Sequence, residues 1–177
     1  MRQLLLLRHA KSSWDDPRLS DHARPLNARG RRAAVAMAAA MRDLGLSPDV
    51  VLVSSARRTL QTLEALGRLD GPPLIVPMDD LYLAPWQRLL DILRQVPDTA
   101  RSVLLIGHNP GLHDLALALV GPGGMATLGA EGQRLAEAFP TAALAEFAIA
   151  SPWHGLSAGG GRLLRFLVPA DLPEPAA

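Results

Sequence analysis

Cysteine is absent from the 177-residue chain, which excludes disulfides, thiolate metal sites and cysteine nucleophiles. Aromatic side chains are few, with three Trp, one Tyr and three Phe. Near the start, the longest apolar run is the leucine stretch at 4–7, which is too short for a signal-peptide core or a membrane span. These absences predict a soluble, cytoplasmic protein that does not interact with membranes.

An excess of charge of one sign is also missing, since 18 Lys and Arg nearly balance 17 Asp and Glu, giving a net charge of +1. No global field therefore directs the protein toward nucleic acid. A hydrophobic content of 49% and a charged content of 20% are typical of a globular chain with a sizeable core. No repeat or interior linker divides the chain, so we expect one domain over 1–169 and a frayed tail over 170–177.

Short apolar runs alternate with helical patterns along the chain. The runs that predict buried strands lie at 4–7, 50–53, 74–76, 103–106, 143–149 and 163–168. The helical patterns lie at 28–44, 63–69, 86–96, 112–119 and 131–138. The Gly-rich stretches at 121–124 and 159–161 are interpreted as turns. Strands that alternate with helices predict an α/β domain with a mainly parallel sheet.

Candidate chemistry begins directly after the first predicted strand, at Arg8 and His9. Ligands of open α/β sheets bind beyond the carboxyl ends of the strands, which is where this pair is expected to lie. Histidine is also the side chain best suited to nucleophilic or acid–base chemistry near neutral pH. An isolated Arg-His pair more often ends a strand at the surface, so the interpretation depends on support from other strand ends.

Two further strand ends supply that support. The strand at 50–53 runs into Ser-Ser-Ala-Arg-Arg-Thr-Leu-Gln-Thr, which contains Arg57 and Arg58. The strand at 103–106 runs into Gly-His-Asn-Pro-Gly, which contains His108. Three strand ends with these side chains could surround one tetrahedral anion, because guanidinium groups bind phosphate oxygens in bidentate fashion.

These motifs make the sequence resemble the histidine phosphatase superfamily, the phosphoglycerate-mutase-like clan. Within it the chain is most similar to SixA-type phosphohistidine phosphatases, which share Leu-Arg-His-Ala-Lys-Ser-Ser-Trp at 7–14. Further shared pieces are Leu-Ser-Asp at 19–21, Arg-Pro-Leu-Asn at 24–27, Arg-Gly at 29–30 and Leu-Tyr-Leu-Ala at 81–84. The resemblance covers nearly the whole chain and implies a three-layer αβα sandwich around the mainly parallel sheet.

The resemblance also implies roles for individual residues. His9 is expected to be a nucleophile that becomes transiently phosphorylated, and His108 is expected to be the second active-site histidine. Arg8 and Arg58 are expected to hold the phosphoryl group, with Arg57 as the alternative to Arg58. Further candidates for contacting phosphate or substrate are Lys11, Ser12 and Asn109. Two arginines and a protonated histidine can stabilise the transferring charge, so neither a metal nor a cofactor is predicted.

The proton donor is the least defined part of the predicted site. An ester leaving group needs a proton, and Asp79 and Asp80 are the only carboxylates in the segment where such a donor is expected. Asp80 fits better, but a solvated carboxylate or a helix cap explains it equally well. A phosphorylated histidine leaves more easily from a protonated ring, so a weak acid site favours phosphohistidine over an ester.

Four arginines at 24, 29, 31 and 32 form a local basic cluster near a helix start. They could attract an anion or an acidic partner, or they could form a solvated arginine face.

We therefore expect a metal-independent phosphatase that forms a phosphohistidine intermediate and acts on phosphohistidine carried by a protein. A phosphomonoesterase of a small phosphorylated metabolite is the alternative of the same class. A non-catalytic module that binds phosphate or a phosphoprotein is the alternative of another class. The expected partner is a phosphorylated substrate, and the sequence does not predict the oligomeric state.

Overall fold

A computed structural model describes residues 1–175 of the chain. Its strands are β1 (Arg2–Arg8), β2 (Val50–Ser54), β3 (Leu74–Met78), β4 (Ser102–Gly107), β5 (Leu144–Ile149) and β6 (Gly161–Leu167). Its α-helices are α1 (Ala28–Asp43), α2 (Arg57–Leu66), α3 (Trp86–Arg94), α4 (Gly111–Thr127) and α5 (Ala130–Glu137). Short 3-10 turns at Asp21–Ala23, Asp79–Leu81, Trp153–Gly155 and Pro169–Asp171 complete the regular structure.

The six strands form one sheet in the order β3-β2-β4-β1-β5-β6. The four strands from β3 to β1 are parallel to their neighbours, and β5 is antiparallel to both β1 and β6. The sheet is therefore mainly parallel, as predicted, with β5 as the one reversed strand. Strand β1 lies at the centre, paired with β4 on one side and β5 on the other.

Two hydrophobic clusters lie on opposite faces of this sheet. The leucines of β1 alternate between them, since Leu4 and Leu6 belong to one cluster, and Leu5 and Leu7 belong to the other. The first cluster includes side chains of α3, α4 and α5, and the second includes side chains of α1 and α2. A strand covered on both faces reads as a continuous apolar run, which explains the four consecutive leucines. The predicted three-layer αβα sandwich is confirmed.

Two helix predictions need correction. Helix α2 begins at Arg57 rather than at 63, because the polar stretch after β2 forms the first turns of the helix instead of a loop. Helix α4 continues to Thr127, past the Gly-rich stretch that we interpreted as a turn. The chain does break there, at Gly121, whose φ of 71° is unfavourable for other residues. Helical conformation then resumes with Pro122, because proline is tolerated in a first helical turn.

Residues at the start of the predicted tail pack against the rest of the domain. The 3-10 turn at Pro169–Asp171 brings the Asp171 carboxylate into an ion pair with Arg134, and Leu172 packs against the cluster under α1. Residues 176 and 177 lie outside the described residues, so fraying of the tail stays a prediction. Over residues 1–175, no helix has both the length and the apolar character needed to cross a membrane.

Candidate active site

The carboxyl ends of three parallel strands converge on one cavity of about 280 Å³. Arg8 is the last residue of β1 and His9 follows it, His108 follows β4, and Arg58 lies in the first turn of α2 after β2. The structure brings these four side chains together. The lining consists of Arg8, His9, Lys11, Ser12, Trp14, Asp21, Arg24, Arg58, Leu83, His108, Asn109 and Thr141.

Backbone contacts hold the loop after β1 against α1 and α2. The Asn27 side chain caps α1 by accepting a hydrogen bond from the Gly30 amide at 2.8 Å, and the Asn27 amide donates to the Lys11 carbonyl at 3.0 Å. A Cβ atom on Gly30 would lie 2.1 Å from that carbonyl, so only glycine fits here. From α2, the Thr62 hydroxyl accepts a hydrogen bond from the Ala10 amide at 2.9 Å. The loop that carries His9 is therefore fixed by groups from both helices.

His9 has a defined tautomer in this site. Its Nδ1 lies 2.7 Å from the Ala10 carbonyl oxygen, which can only accept, so Nδ1 carries the hydrogen. Within residues 1–175, Nε2 has no hydrogen-bond partner and is not enclosed, which leaves its lone pair available in the cavity. Burial, followed by the positive charges of Arg58 and Arg8, lowers the pKa of His9 to about 4. The imidazole is therefore neutral near pH 7, the form in which it can act as a nucleophile.

His108 lies beside His9, with the ring centroids 5.3 Å apart. Its Nε2 is 2.7 Å from the Ser54 hydroxyl, and its buried Nδ1 has no partner among the described residues. Burial, then His9 and Arg58, lower the pKa of His108 to about 3. A phosphoryl anion beside the ring would oppose this shift and favour a protonated His108 that donates to it.

One backbone carbonyl orients two of the predicted phosphate contacts. The Phe139 oxygen accepts hydrogen bonds from Arg8 Nη1 at 3.1 Å and from Asn109 Nδ2 at 2.9 Å. The Arg8 Nε group and the Asn109 Oδ1 atom are buried without partners among residues 1–175. The loop after α5 thus fixes both side chains at the cavity wall.

The Asp21 carboxylate accepts hydrogen bonds from two arginines of the site, Arg24 and Arg58. Its Oδ2 accepts hydrogen bonds from Arg58 Nη2 at 3.0 Å and from the Tyr82 hydroxyl, and its Oδ1 accepts one from Arg24 Nη1 at 2.9 Å. Arg58 Nη1 also donates to the Asp21 carbonyl at 2.7 Å. The Tyr82 hydrogen bond contributes most to lowering the pKa of Asp21 to about 2, so the carboxyl is ionised at neutral pH.

The basic cluster of the sequence divides into two parts. Arg24 is buried, donates to the Ser12 hydroxyl, and stacks on the indole of Trp14 with its guanidinium carbon 3.3 Å from the ring centroid. Arg29, Arg31 and Arg32 are exposed on α1 and do not line the cavity. The site therefore uses Arg24 alone from the cluster.

The structure does not bring Asp80 to the site. The 3-10 turn at Asp79–Leu81 directs Leu81 into the core and places Tyr82 beside His108, with the two ring centroids 5.4 Å apart. Asp80 instead lines a separate apolar cavity between β3 and α3. Its assignment as a proton donor has no support from the geometry, because the turn carries its carboxyl away from the cavity that holds His9.

Sequence reasoning did not assign several residues to the site. Asp21, Tyr82, Trp14 and Leu83 were noted only as parts of shared motifs, and Arg24 as part of a shared motif and of the basic cluster. The signal available was that Tyr82 is the single tyrosine of the chain and lies in a motif shared with SixA-type proteins. Lys11, Ser12 and Asn109 line the cavity, and their contacts with phosphate or substrate stay a prediction.

The two depressed histidine pKa values predict acid sensitivity of the fold. Between pH 6.5 and about 4 the unfolded chain binds protons at His9 and His108 that the folded chain does not, so stability falls as pH decreases. We expect the free energy of unfolding to fall by about 2–3 kcal/mol from pH 7 to 5.5, at roughly 1.4 kcal/mol per pKa unit for each histidine. Urea unfolding in phosphate-free buffer measures this, because bound phosphate would add its own stabilisation.

A double variant, His9→Asn with His108→Asn, should flatten that pH dependence, whereas His154→Asn should retain it because His154 is exposed. An unchanged slope in the double variant would contradict the assignment.

A cationic pocket at the carboxyl ends of parallel strands is typical of an α/β protein that binds a phosphoryl group. The sequence profile of the histidine phosphatase superfamily, branch 1, matches residues 4–82. An uncharacterized protein of Mycobacterium tuberculosis is 34% identical over 163 residues, which cover 92% of this chain and 99% of that protein. The chain belongs to the histidine phosphatase superfamily.

Solved structures place the chain near the SixA proteins of this superfamily. A protein assigned as the phosphohistidine phosphatase SixA of Nakamurella multipartitia is 30% identical, with a TM-score of 0.83 and coverage of 95% of this chain and 96% of that one. The protein histidine phosphatase SixA complexed with tungstate is 25% identical, with a TM-score of 0.76 and coverage of 96% and 98%. The protein is accordingly a phosphatase that is similar to SixA.

Proposed function

We propose that this phosphatase removes the phosphoryl group from phosphohistidine on a protein, through a phosphorylated His9 and without a metal. The observation that carries the catalytic part is the His9 tautomer. Because Nδ1 donates to the Ala10 carbonyl, the lone pair is on Nε2, which remains accessible in the cavity. Neutral imidazole with an accessible lone pair is an activated nucleophile at pH 7.

In the first step, His9 Nε2 attacks phosphorus in line with the leaving group. The new N–P bond forms at Nε2 as the bond to the leaving nitrogen or oxygen breaks, and the leaving atom takes the electron pair. Arg8 and Arg58 stabilise the equatorial oxygens, and His108 donates to them once the phosphoryl group raises its pKa. Positive charge for the transition state is therefore available from side chains alone.

In the second step, water attacks phosphorylated His9 from the side that the leaving group has vacated. The N–P bond breaks, Nε2 takes back its electron pair, and inorganic phosphate leaves with the oxygen of water. His9 returns to its neutral form, with Nδ1 still donating to Ala10.

The preference for phosphohistidine rests on the acid–base character of the lining. Asp21 is the one carboxyl group among the described residues that line the cavity, and its pKa of about 2 keeps it ionised. It has no proton to give to an alkoxide at neutral pH. An imidazole that is protonated on its other nitrogen leaves as a neutral molecule and needs no proton from the enzyme, so it suits this site better than an alkyl ester.

A protein substrate is favoured by the size and rim of the cavity. About 280 Å³ accommodates a phosphoryl group and lies at the small end of the range of small-molecule pockets. The rim carries Trp14 and Leu83, which are 75% and 52% exposed. These apolar side chains can contact protein surface around the phosphorylated residue.

The test measures phosphate release in EDTA from a phosphohistidine-bearing protein, from free phosphohistidine and from an alkyl phosphate ester. We expect release from both phosphohistidine substrates and at least about tenfold slower release from the ester.

The exposed indole at the rim is tested with Trp14→Ala. This variant should raise the KM for the protein substrate about threefold to tenfold, with little change for free phosphohistidine, because only the protein substrate loses contacts with the indole. Leu74→Ala, which truncates another exposed apolar residue on the distant strand β3, serves as the matched control.

Faster turnover of the alkyl ester would support the metabolite phosphatase instead. Saturable binding of phosphoprotein without phosphate release would support the binding module. Loss of all activity in EDTA that added divalent metal restores would contradict metal independence.

A further inference from the structure

The carboxylate of Asp21 has an acceptor position left over. A carboxylate offers about four lone-pair positions, and Arg24, Arg58 and Tyr82 occupy three of them. Only the Arg24 hydrogen bond goes to Oδ1, so the remaining position lies on that oxygen. The Asp21 side chain is 43% exposed and lines the same cavity as His9. The three donors fix the carboxylate in place and leave one oxygen free to accept a further hydrogen bond.

The different exposure of His9 and Asp21 indicates that Asp21 can reach the leaving group. His9 is only 8% exposed, so the nucleophile lies deep in the cavity. A phosphoryl group attacked in line from there presents its leaving group toward solvent. The Asp21 side chain is 43% exposed, so it is nearer to solvent than His9, and it makes no hydrogen bond to His9. This position suits contact with a departing group that faces solvent.

A phosphorylated imidazole differs from a phosphate ester in one respect that such a carboxylate can recognise. Its second ring nitrogen can carry a hydrogen, and the ring is then cationic. An ester or an aryl phosphate has no such donor. An ionised acceptor next to a cationic ring favours the protonated state of that ring.

We propose that Asp21 recognises the substrate by accepting a hydrogen bond from the free ring N–H of the phosphohistidine. This inference rests on the proposed phosphohistidine phosphatase function. In the transfer step the N–P bond breaks, its electron pair goes to the departing ring nitrogen, and the other nitrogen keeps its hydrogen against Asp21. A neutral imidazole departs, and no proton moves to or from the carboxylate. Asp21 thus contacts the substrate and selects a leaving group that arrives as a cation.

The test must distinguish recognition of the leaving group from a second role of Asp21, the positioning of Arg58. Asp21 also binds Arg58 through its carboxylate and its carbonyl, so its loss could act by misplacing that guanidinium. A misplaced Arg58 would impair phosphoryl transfer from every substrate and would weaken the binding of inorganic phosphate. Loss of leaving-group recognition would affect phosphohistidine alone. It would not weaken phosphate binding, because removal of a negative charge next to the pocket favours an anion.

The experiment compares the wild type with Asp21→Asn in single-turnover phosphorylation of His9. The substrates are free phosphohistidine and p-nitrophenyl phosphate, whose leaving group departs without a proton. We expect the phosphohistidine rate at pH 7.5 to fall about tenfold to a hundredfold and the aryl phosphate rate to fall less than about threefold. Asp15→Asn, which removes an exposed charge from the same loop without touching the site, is the matched control.

The pH profile of the same single-turnover rate gives an independent readout. For phosphohistidine, the rate should decline at high pH as the bound ring loses the proton on its free nitrogen, and Asp21→Asn should move this decline about one pH unit lower. Inhibition by inorganic phosphate should be unchanged or stronger in the variant.

Equal losses on both substrates, an unmoved pH profile or weaker phosphate inhibition would overturn the inference and assign Asp21 to positioning Arg58. Failure of the proposed function itself is distinguishable, because the wild type would then not be phosphorylated by phosphohistidine at all.

Discussion

Replacement of His9 with alanine should reduce phosphate release by a factor of about 10⁴ or more, because removal of a covalent nucleophile eliminates the pathway rather than weakening one contact. The reason lies in the local geometry. His9 Nδ1 is committed to the Ala10 carbonyl and Nε2 is accessible, while His108 Nε2 lies against the Ser54 hydroxyl. Among the described residues, His9 is the one histidine that directly follows β1 and has an accessible ring nitrogen in the cavity.

The direct measurement is the transfer of labelled phosphate to the protein, followed by rapid quenching in alkali, where a phosphorylated histidine persists. Label should appear on the wild type and not on His9→Ala, and both proteins should show the same unfolding transition. His154→Ala controls for loss of an exposed histidine. Label on His9→Ala at the wild-type level would contradict the assignment and would direct attention to His108.

A second variant, His9→Asn, distinguishes loss of the nucleophile from a folding defect. His9→Asn keeps a buried polar group that can hydrogen-bond the Ala10 carbonyl through its amide. It should remain folded and as inactive as the alanine variant. Recovery of more than a few per cent of activity in His9→Asn would show that the residue positions other groups instead of attacking phosphorus.

The central part of the fold followed from the sequence because it obeys local rules. Buried parallel strands read as continuous apolar runs, and the run at 4–7 identified β1 even though four leucines suit a helix equally well. Helix α1 was predictable because its capping residue Asn27 and the glycine after its end at Asp43 are local signals. The strand order and the reversed direction of β5 depend on pairing between distant segments, which no local pattern encodes.

The site residues also differ in whether local sequence predicts their position. Arg8 ends β1, and His9 and His108 directly follow β1 and β4, so strand prediction alone placed them at one edge of the sheet. Asp21 and Tyr82 reach the cavity from irregular segments whose path depends on 3-10 turns. Asp80 was predicted because it is a carboxylate in the segment where a proton donor is expected, whereas the 3-10 turn at Asp79–Leu81 brings Tyr82 beside His108 instead.

Replacement of Arg58 with alanine should lower kcat/KM about 10²-fold to 10³-fold, whereas Arg57→Ala should change it less than about twofold. The contrast follows from burial, since Arg58 is 4% exposed and lines the cavity, while Arg57 is exposed and donates to the Ala23 carbonyl. Removal of one preorganised donor from a transition-state oxyanion typically costs two to three orders of magnitude in rate. Arg58→Lys should recover only part of the loss, because a point charge does not reproduce the guanidinium fork.

Arg58 should also affect the pH dependence of the reaction, because its charge adds to burial in lowering the pKa of both His9 and His108. Without that charge the His9 pKa rises toward its ordinary value, so the protonated and unreactive form persists to higher pH. The acid limb of kcat/KM should therefore move upward in Arg58→Ala, return toward the wild-type position in Arg58→Lys, and stay in place in Arg57→Ala. An unshifted acid limb in Arg58→Ala, combined with the expected loss of rate, would mean that Arg58 stabilises the phosphoryl oxygens without tuning the nucleophile.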